Sequence, residues 1–356
     1  ILFTMLFNGG MTPPLKSIVK SIMEKKKNGI VKKFLSIRGM GQVVTVTIGL
    51  IIMCVIFGIL SPSFFSGRNV GNLLRQIAPI LLVGIGQSYV MITGNIDLSI
   101  GSVLGMSCMI SATLMTKGIS PTVAVFITLA ACLAVGLING LLVAQFHLPA
   151  FIATLGTMQT ARGIAQIVNN NYNTDAIGKA AQGFRDFFYY GKLLGIYNTV
   201  WITLVLFLVF NFLLSKTRTG RHIYAVGSNI DAAGLSGVNV VATTVKAYLV
   251  SSFCAFTVGL ITCATAGMGT MDAGNMYEMY AVAASVIGGV STLGGQGILV
   301  GTIIGAAIWG VLQNGLQFAG APVAMRNIVI GVIVVVSVLL DVIIRTGRKP
   351  KLKKSN

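Results

Sequence analysis

Asp97 is an acid in an unexpected place. It stands in TGNIDLSIGS, residues 93–102, between the apolar runs APILLVGIGQSYVMI and VLGMSCMISATLM, with Asn95, Ser99 and Ser102 beside it. Gly94 and Asn95 both tolerate a left-handed backbone, so a helix can end there. Asp97 is then placed to cap a following helix, beginning at Leu98, by accepting from the N–H of Ser99 or Ile100. A polar break among apolar runs persists only where protein or water covers it. It is either a buried turn with a structural acid or the polar wall of a solute pathway that includes Asn95, Asp97 and Ser99.

Other polar side chains interrupt apolar runs. The amides of Asn139, Gln313 and Asn314 either bond helix to helix or line a passage. Asp272 and Glu278 stand near the ends of two runs, where an acid is solvated or helps hold a coupling ion. The five cysteines, Cys54, Cys108, Cys132, Cys254 and Cys263, fall in apolar runs without a C-x-x-C pair, and the histidines are His147 and His222. That pattern predicts neither a disulfide framework nor a metal site, and no set of residues reads as catalytic. AIGKAA and YYGKLL lack the leading glycine and the Ser or Thr of a phosphate-binding loop, so any ATP that drives this chain is hydrolysed by another.

The elements that carry these residues follow from composition. Of 356 residues, 54% are hydrophobic and 10% charged, and the mean hydropathy is +0.86. A soluble enzyme is excluded by such numbers; a bilayer protein is expected. A hydrocarbon core of ~30 Å takes about 20 apolar residues per helix. Ten runs qualify: 42–60, 76–93, 102–116, 122–146, 150–168, 199–214, 246–266, 279–293, 297–316 and 327–344. Seven of the eight prolines fall outside them, and Pro79 is expected in the first turn of the second, where no backbone N–H is missed.

Charge gives the orientation. Eighteen basic residues lie between Lys16 and Arg38, around 215–246 and between Arg345 and Lys354, whereas seven (Arg68, Arg75, Lys117, Lys179, Arg185, Lys192, Arg326) fall in the alternate segments. The positive-inside rule then places both termini in the cytoplasm. The net charge of +18 is thus a matter of topology, not of nucleic acid, because it comes in short blocks. The expected fold is all-α and polytopic, with about ten transmembrane helices. It divides into a basic cytoplasmic arm (1–41), a membrane domain (42–345) containing a cytoplasmic loop (215–246), and a basic tail (346–356). Residues 1–10 stay outside the fold argument, with Met11 or Met23 as the expected start.

Two further patterns concern packing and the long loop. Gly297, Gly301 and Gly305 recur every four residues, a smooth stripe for close helix packing or a subunit interface. The segment Asn169 to Asn198 is rich in aromatic residues, which suits an interfacial belt or a docking surface. Within 215–246, GSNIDAAGLSG offers Ser228 or Asn229 as a cap, Asp231 in the first turn, Ala232 and Ala233 as helix formers and Gly237 as a stop. By itself this short helix is a connector or a docking element.

Five collinear blocks decide between these readings. TGNIDLSIGS, INGLLVAQFHLPAFIATLGTM, GRHIYAVGSNIDAAGLSGV, AVAASVIGGVSTLGGQG and GVLQNGL resemble the permease subunit of bacterial ABC importers for ribose, xylose, arabinose and galactosides. The resemblance runs from about residue 42 to 345 and implies a non-enzymatic transport subunit of the bacterial cytoplasmic membrane. It implies a homodimer in lipid, with cytoplasmic ABC ATPase subunits that hold ATP and Mg, an extracytoplasmic sugar-binding protein, and no cofactor in this chain. Gly227, Ser228, Asn229, Asp231, Ala232, Ala233 and Gly237 would couple to the ATPase. Asn95, Asp97, Ser99, Asn139, Glu278 and Asn314 would contribute to the translocation pathway. Gly234 and Tyr280 depart from the family pattern, where a basic and an acidic residue are usual. The alternatives are a permease for branched-chain amino acids and an ion-coupled secondary transporter.

Overall fold

The computed structural model describes residues 40–322 and, beyond them, residues 324, 325, 328, 329, 331–333, 335, 336 and 339. The basic arm up to residue 39 and the tail 346–356 lie outside the described residues. Helices α1 (Met40–Leu60), α2 (Gly67–Ile92), α3 (Ile100–Thr116), α4 (Pro121–Ala144) and α5 (Ala150–Ile167) follow one another through short turns. A segment with a small hairpin, β1 (Lys192–Leu193) and β2 (Ile196–Tyr197), leads to α6 (Asn198–Lys216), α7 (Arg218–Ser228) and α8 (Ile230–Leu235). Then come α9 (Val240–Ala266), α10 (Tyr277–Ile287) and α11 (Leu299–Phe318). The described residues between 324 and 339 are helical, and those from 328 onward lie inside the tenth apolar run. With α2, α4, α6, α9 and α11 each long and apolar enough to cross a membrane, the chain is an all-α polytopic membrane protein.

Burial sorts the helices into layers. In α2 and α9, 67% of the most apolar window is buried inside the protein, against 22% in α4 and 28% in α6. The first pair forms the centre, and the second pair turns its apolar surface outward to lipid. α9 packs on α2, α3 and α4, while α2 also holds α10 and α11. Every residue of α3 from Ile100 to Thr113 is buried, as befits a helix that is apolar all round. Small residues permit this density. Gly259 of α9 lies on the Leu104 carbonyl, and Gly136 of α4 on the Tyr248 carbonyl.

The second helix begins at Gly67, well before its apolar run. Ser66 caps it by accepting from the Asn69 N–H at 3.4 Å, and Arg68, Arg75 and Gln76 depress the hydropathy of its first half. Pro79 therefore sits in the helix interior, not in the first turn as expected. There it removes the N–H that would meet the Arg75 carbonyl.

The eighth run, 279–293, does not form one full-length helix. α10 has 11 residues, about 16 Å at 1.5 Å per residue and half the hydrocarbon thickness. The chain before it re-enters the bundle along α3: Gly269 lies against Met109 and Ala112, the Ala273 carbonyl against Gly105, and Gly274 against Gly101. α10 consequently starts beside the middle of α11, where Tyr280 stacks on Trp309 at 4.9 Å. It continues with Ala284 against Gly305 and Gly288 against Gly301. Gly297 does not extend that stripe. It precedes α11 with φ +146° and packs on Val290, so the helical contact is made by Gly301 and Gly305.

Candidate functional site

The break between α2 and α3 is organised by Asp97. α3 begins at Ile100, not Leu98, and the side chain of its N-cap Ser99 makes no capping bond. Asp97 Oδ1 accepts from the Ser99 N–H at 2.9 Å and from the Ser99 hydroxyl at 2.6 Å, a local Asx turn just ahead of the helix. Its Oδ2 accepts from the Ser251 hydroxyl of α9 at 2.6 Å. Ser99 Oγ in turn accepts from Asn139 Nδ2 of α4 at 2.9 Å, and Asn139 Oδ1 from the Thr157 hydroxyl of α5 at 2.6 Å. Tyr248 donates to the Ile96 carbonyl at 3.1 Å, which fastens the same break to α9.

This network is complete within the protein. A carboxylate only accepts, each of its three contacts is a donor, and Asp97 is 1% exposed. The structure thus brings Asp97, Ser99 and Asn139 together and adds Ser251, Thr157 and Tyr248, which sequence reasoning missed. The one signal for the α9 pair is the three-residue spacing of Tyr248 and Ser251, which puts both on one helix face. Asn95 lies apart, its amide donating to Thr93 Oγ1 at 3.0 Å.

Glu278 and Asn314 sit elsewhere. The Glu278 carboxyl rests against Gly101, where a Cβ would collide with it. Arg162 of α5 donates to the Ala273 carbonyl at 2.7 Å and to the Met271 carbonyl at 3.2 Å, holding the re-entrant segment. Asn314 exchanges two hydrogen bonds with Asn69 at 2.9 and 3.2 Å, and Asn69 also donates to the Phe64 carbonyl at 2.8 Å. Of the six pathway candidates, Asp97, Ser99 and Asn139 share one hydrogen-bond network, while Asn95, Glu278 and Asn314 make their contacts outside it.

The loop after α6 folds as two capped helices. Thr217 accepts from the Gly220 N–H at 3.4 Å, and Asn229 from the Ala232 N–H at 2.8 Å. Asp231 is in the first turn of α8. Gly237 has φ +81°, and the Val238 N–H returns to the Ala233 carbonyl at 3.0 Å, a Schellman ending that needs glycine at that position. Ala233 is buried and anchors the loop, whereas Ser228, Asn229, Asp231 and Ala232 are exposed. Ile230 is 53% and Leu235 92% exposed, so α8 presents apolar side chains outward.

Beneath α8 the backbone contacts are glycine-bound. A Cβ at Gly227 would meet the carbonyl of Ile92, the last residue of α2, and that carbonyl accepts from the Gly295 N–H at 2.8 Å. Gly294, at φ +84°, lies on the Gly227 carbonyl and on Gly94. Tyr224 donates to the Gly297 carbonyl at 2.7 Å. The end of α7, the end of α2 and the turn before α11 are thereby in direct backbone contact. No flexible side chain stands between the end of α7 and the end of α2, which leads into the Asp97 break.

Residues 69–338 match a family model described as "Branched-chain amino acid transport system / permease component". The ribose import permease protein of Escherichia coli (strain K12) is 36% identical over 294 residues, 83% of this chain and 92% of that protein. The ribose import permease protein of Bacillus subtilis (strain 168) is 37% identical over 295 residues, 83% of this chain and 91% of that protein. The D-allose transport system permease protein of Escherichia coli (strain K12) is 34% identical over 297 residues, 82% of this chain and 89% of that protein. No solved structure matches. The matched span runs from α2 past α11 and takes in both the Asp97 network and the α7–α8 loop, and the chain belongs to this family of transport-system permease components.

Proposed function

We propose that the chain is the membrane-spanning permease subunit of a binding-protein-dependent ABC importer in the bacterial cytoplasmic membrane, forming the pathway for a neutral pentose or hexose. Two copies, each with ten membrane passages of which α10 is a half-crossing and with both termini cytoplasmic, stand on two ATPase subunits that hold ATP and Mg. A sugar-binding protein delivers the solute from the other side. The observation that carries the coupling role is α8, a capped helix with Ile230 and Leu235 turned outward above the glycine contacts with α2. ATP-driven closure of the ATPase pair would push α8, and Gly227 would pass the displacement to Ile92 and the break before α3. The sugar class is supported by the relatives named for ribose and D-allose transport.

The description of the family favours a second reading, a branched-chain amino acid as solute. Such a solute carries two full charges that require compensation in a low-dielectric passage. Proteoliposomes containing the chain, its ATPase and its binding protein distinguish the two. ATP-dependent uptake of D-ribose or D-allose that unlabelled monosaccharides block and L-leucine does not is the expected result. Uptake driven by an ion gradient without ATP, or blocked by L-leucine and by no sugar, would refute the assignment.

A further inference from the structure

A cavity of about 300 Å³ opens between the first half of α2, the end of α9, the start of α10 and the second half of α11. Sites for small ligands occupy roughly 300–1,000 Å³, so its size suits one small solute. Its floor is the first turn of α10, where the Tyr277 and Tyr280 rings lie 5.4 Å apart and Tyr280 is backed by Trp309. Because α10 starts beside the middle of α11, that floor lies deep in the bundle. Interrupted helices of this kind hold solute sites in other transporter folds.

The walls carry polar groups with capacity to spare. The half-buried Gln313 amide has no hydrogen-bond partner among the described residues. Thr262 and Thr265 donate to the Val258 and Ile261 carbonyls at 2.8 and 2.7 Å, which leaves their oxygens as acceptors. Pro79 frees the Arg75 carbonyl. No carboxylate lines the cavity. Its one cation, Arg75, is held between Tyr197 and Tyr189, 3.8 and 4.7 Å from the ring centres, and is bonded to Asn72 at 2.7 Å.

We infer that this cavity is a binding site for a neutral monosaccharide on the translocation pathway. The sugar lays its C–H face on the tyrosine rings and exchanges hydrogen bonds through its hydroxyls with Gln313, Thr262 and Thr265. An amphipathic ring over a polar rim fits a polyol, which is apolar on its faces and polar at its edge. A zwitterion would find no acid for its ammonium. The inference rests on the permease reading and adds to it a place where the solute pauses.

The test uses the assembled importer in right-side-out vesicles, without ATP or binding protein, carrying a cysteine at a lining position that makes no proposed bond to the sugar, Ala266→Cys on α9 or Gln76→Cys on α2. An impermeant thiol reagent is applied with and without D-ribose, D-allose or D-galactose, and Ser66→Cys serves as the exposed reference. Occupancy slows modification by the factor 1 + [L]/Kd, about fourfold at three times Kd. The expected result is protection of both cavity cysteines by at least one sugar, with Ser66→Cys unchanged and L-leucine without effect. Equal slowing at Ser66→Cys, or no protection by the sugar that the same vesicles take up when energised, overturns the site and leaves the permease reading standing. Protection by L-leucine together with L-leucine uptake overturns both.

Discussion

Replacing Asp97 separates its charge from its geometry. The carboxylate accepts three hydrogen bonds, two from Ser99 and one from Ser251. In Asp97→Asn, the remaining oxygen keeps the Ser99 contacts, and the new Nδ2 donates to Ser251, whose hydroxyl hydrogen turns away. The exchange of a charge-assisted bond for a neutral one costs about 1 kcal/mol. In Asp97→Leu, both hydroxyls can rotate toward other acceptors, but the buried Ser99 N–H cannot. That orphan alone costs about 1–3 kcal/mol, and the lost charge-assisted bonds bring the total to roughly 3–5 kcal/mol. At roughly 2–4 °C per kcal/mol for a domain of this size, the Asn variant should lose a few degrees and the Leu variant at least twice as much. Heating purified protein in detergent and following the monodisperse fraction by gel filtration measures the difference, with sugar uptake assayed in parallel. If Asn abolishes uptake as fully as Leu in protein of normal heat stability, the charge itself is required and the acceptor argument is wrong.

Leu235→Arg should leave the chain folded and in the membrane but reduce ATPase recovery on co-purification, since a residue 92% exposed can be changed without disturbing the interior; undiminished recovery removes α8 from the docking surface. Ala233→Arg is a poorer probe because that side chain is buried and its replacement disrupts the loop itself. Cysteines at Ser66 and Gln182 should react with an impermeant thiol reagent in intact cells and a cysteine at Ser228 should not, while the reverse pattern would invert the topology. A double-mutant cycle between Asn69→Ala and Asn314→Ala should show a coupling of about 0.6–2 kcal/mol, the range of hydrogen bonds between membrane helices. Additive effects would mean that the amide pair does not hold α11 to α2.

Composition and local pattern determined the class of protein and the positions of most helices, because a bilayer demands long apolar runs and closed backbone hydrogen bonding. They also located the stop at Gly237 and narrowed the cap to Ser228 or Asn229, since both depend on residues within a few positions of one another, and the structure selects Asn229. Asp97 was visible as an acid in an apolar context, and its bond to Ser99 was within reach of local reasoning. Its bond to Ser251, 154 positions away, was not, because only the packing of α9 against the break brings the two together. The same distinction separates α10 from a full-length helix. A run of apolar residues reads alike whether it crosses the core or starts halfway through it, and the re-entry before α10 depends on Gly101, Gly105 and Gly269 giving room to distant backbone. Tertiary structure alone placed Gly227 on the Ile92 carbonyl and gathered Gln313, Thr265 and Tyr280 around one cavity, since those contacts join helices whose sequences carry no mark of each other.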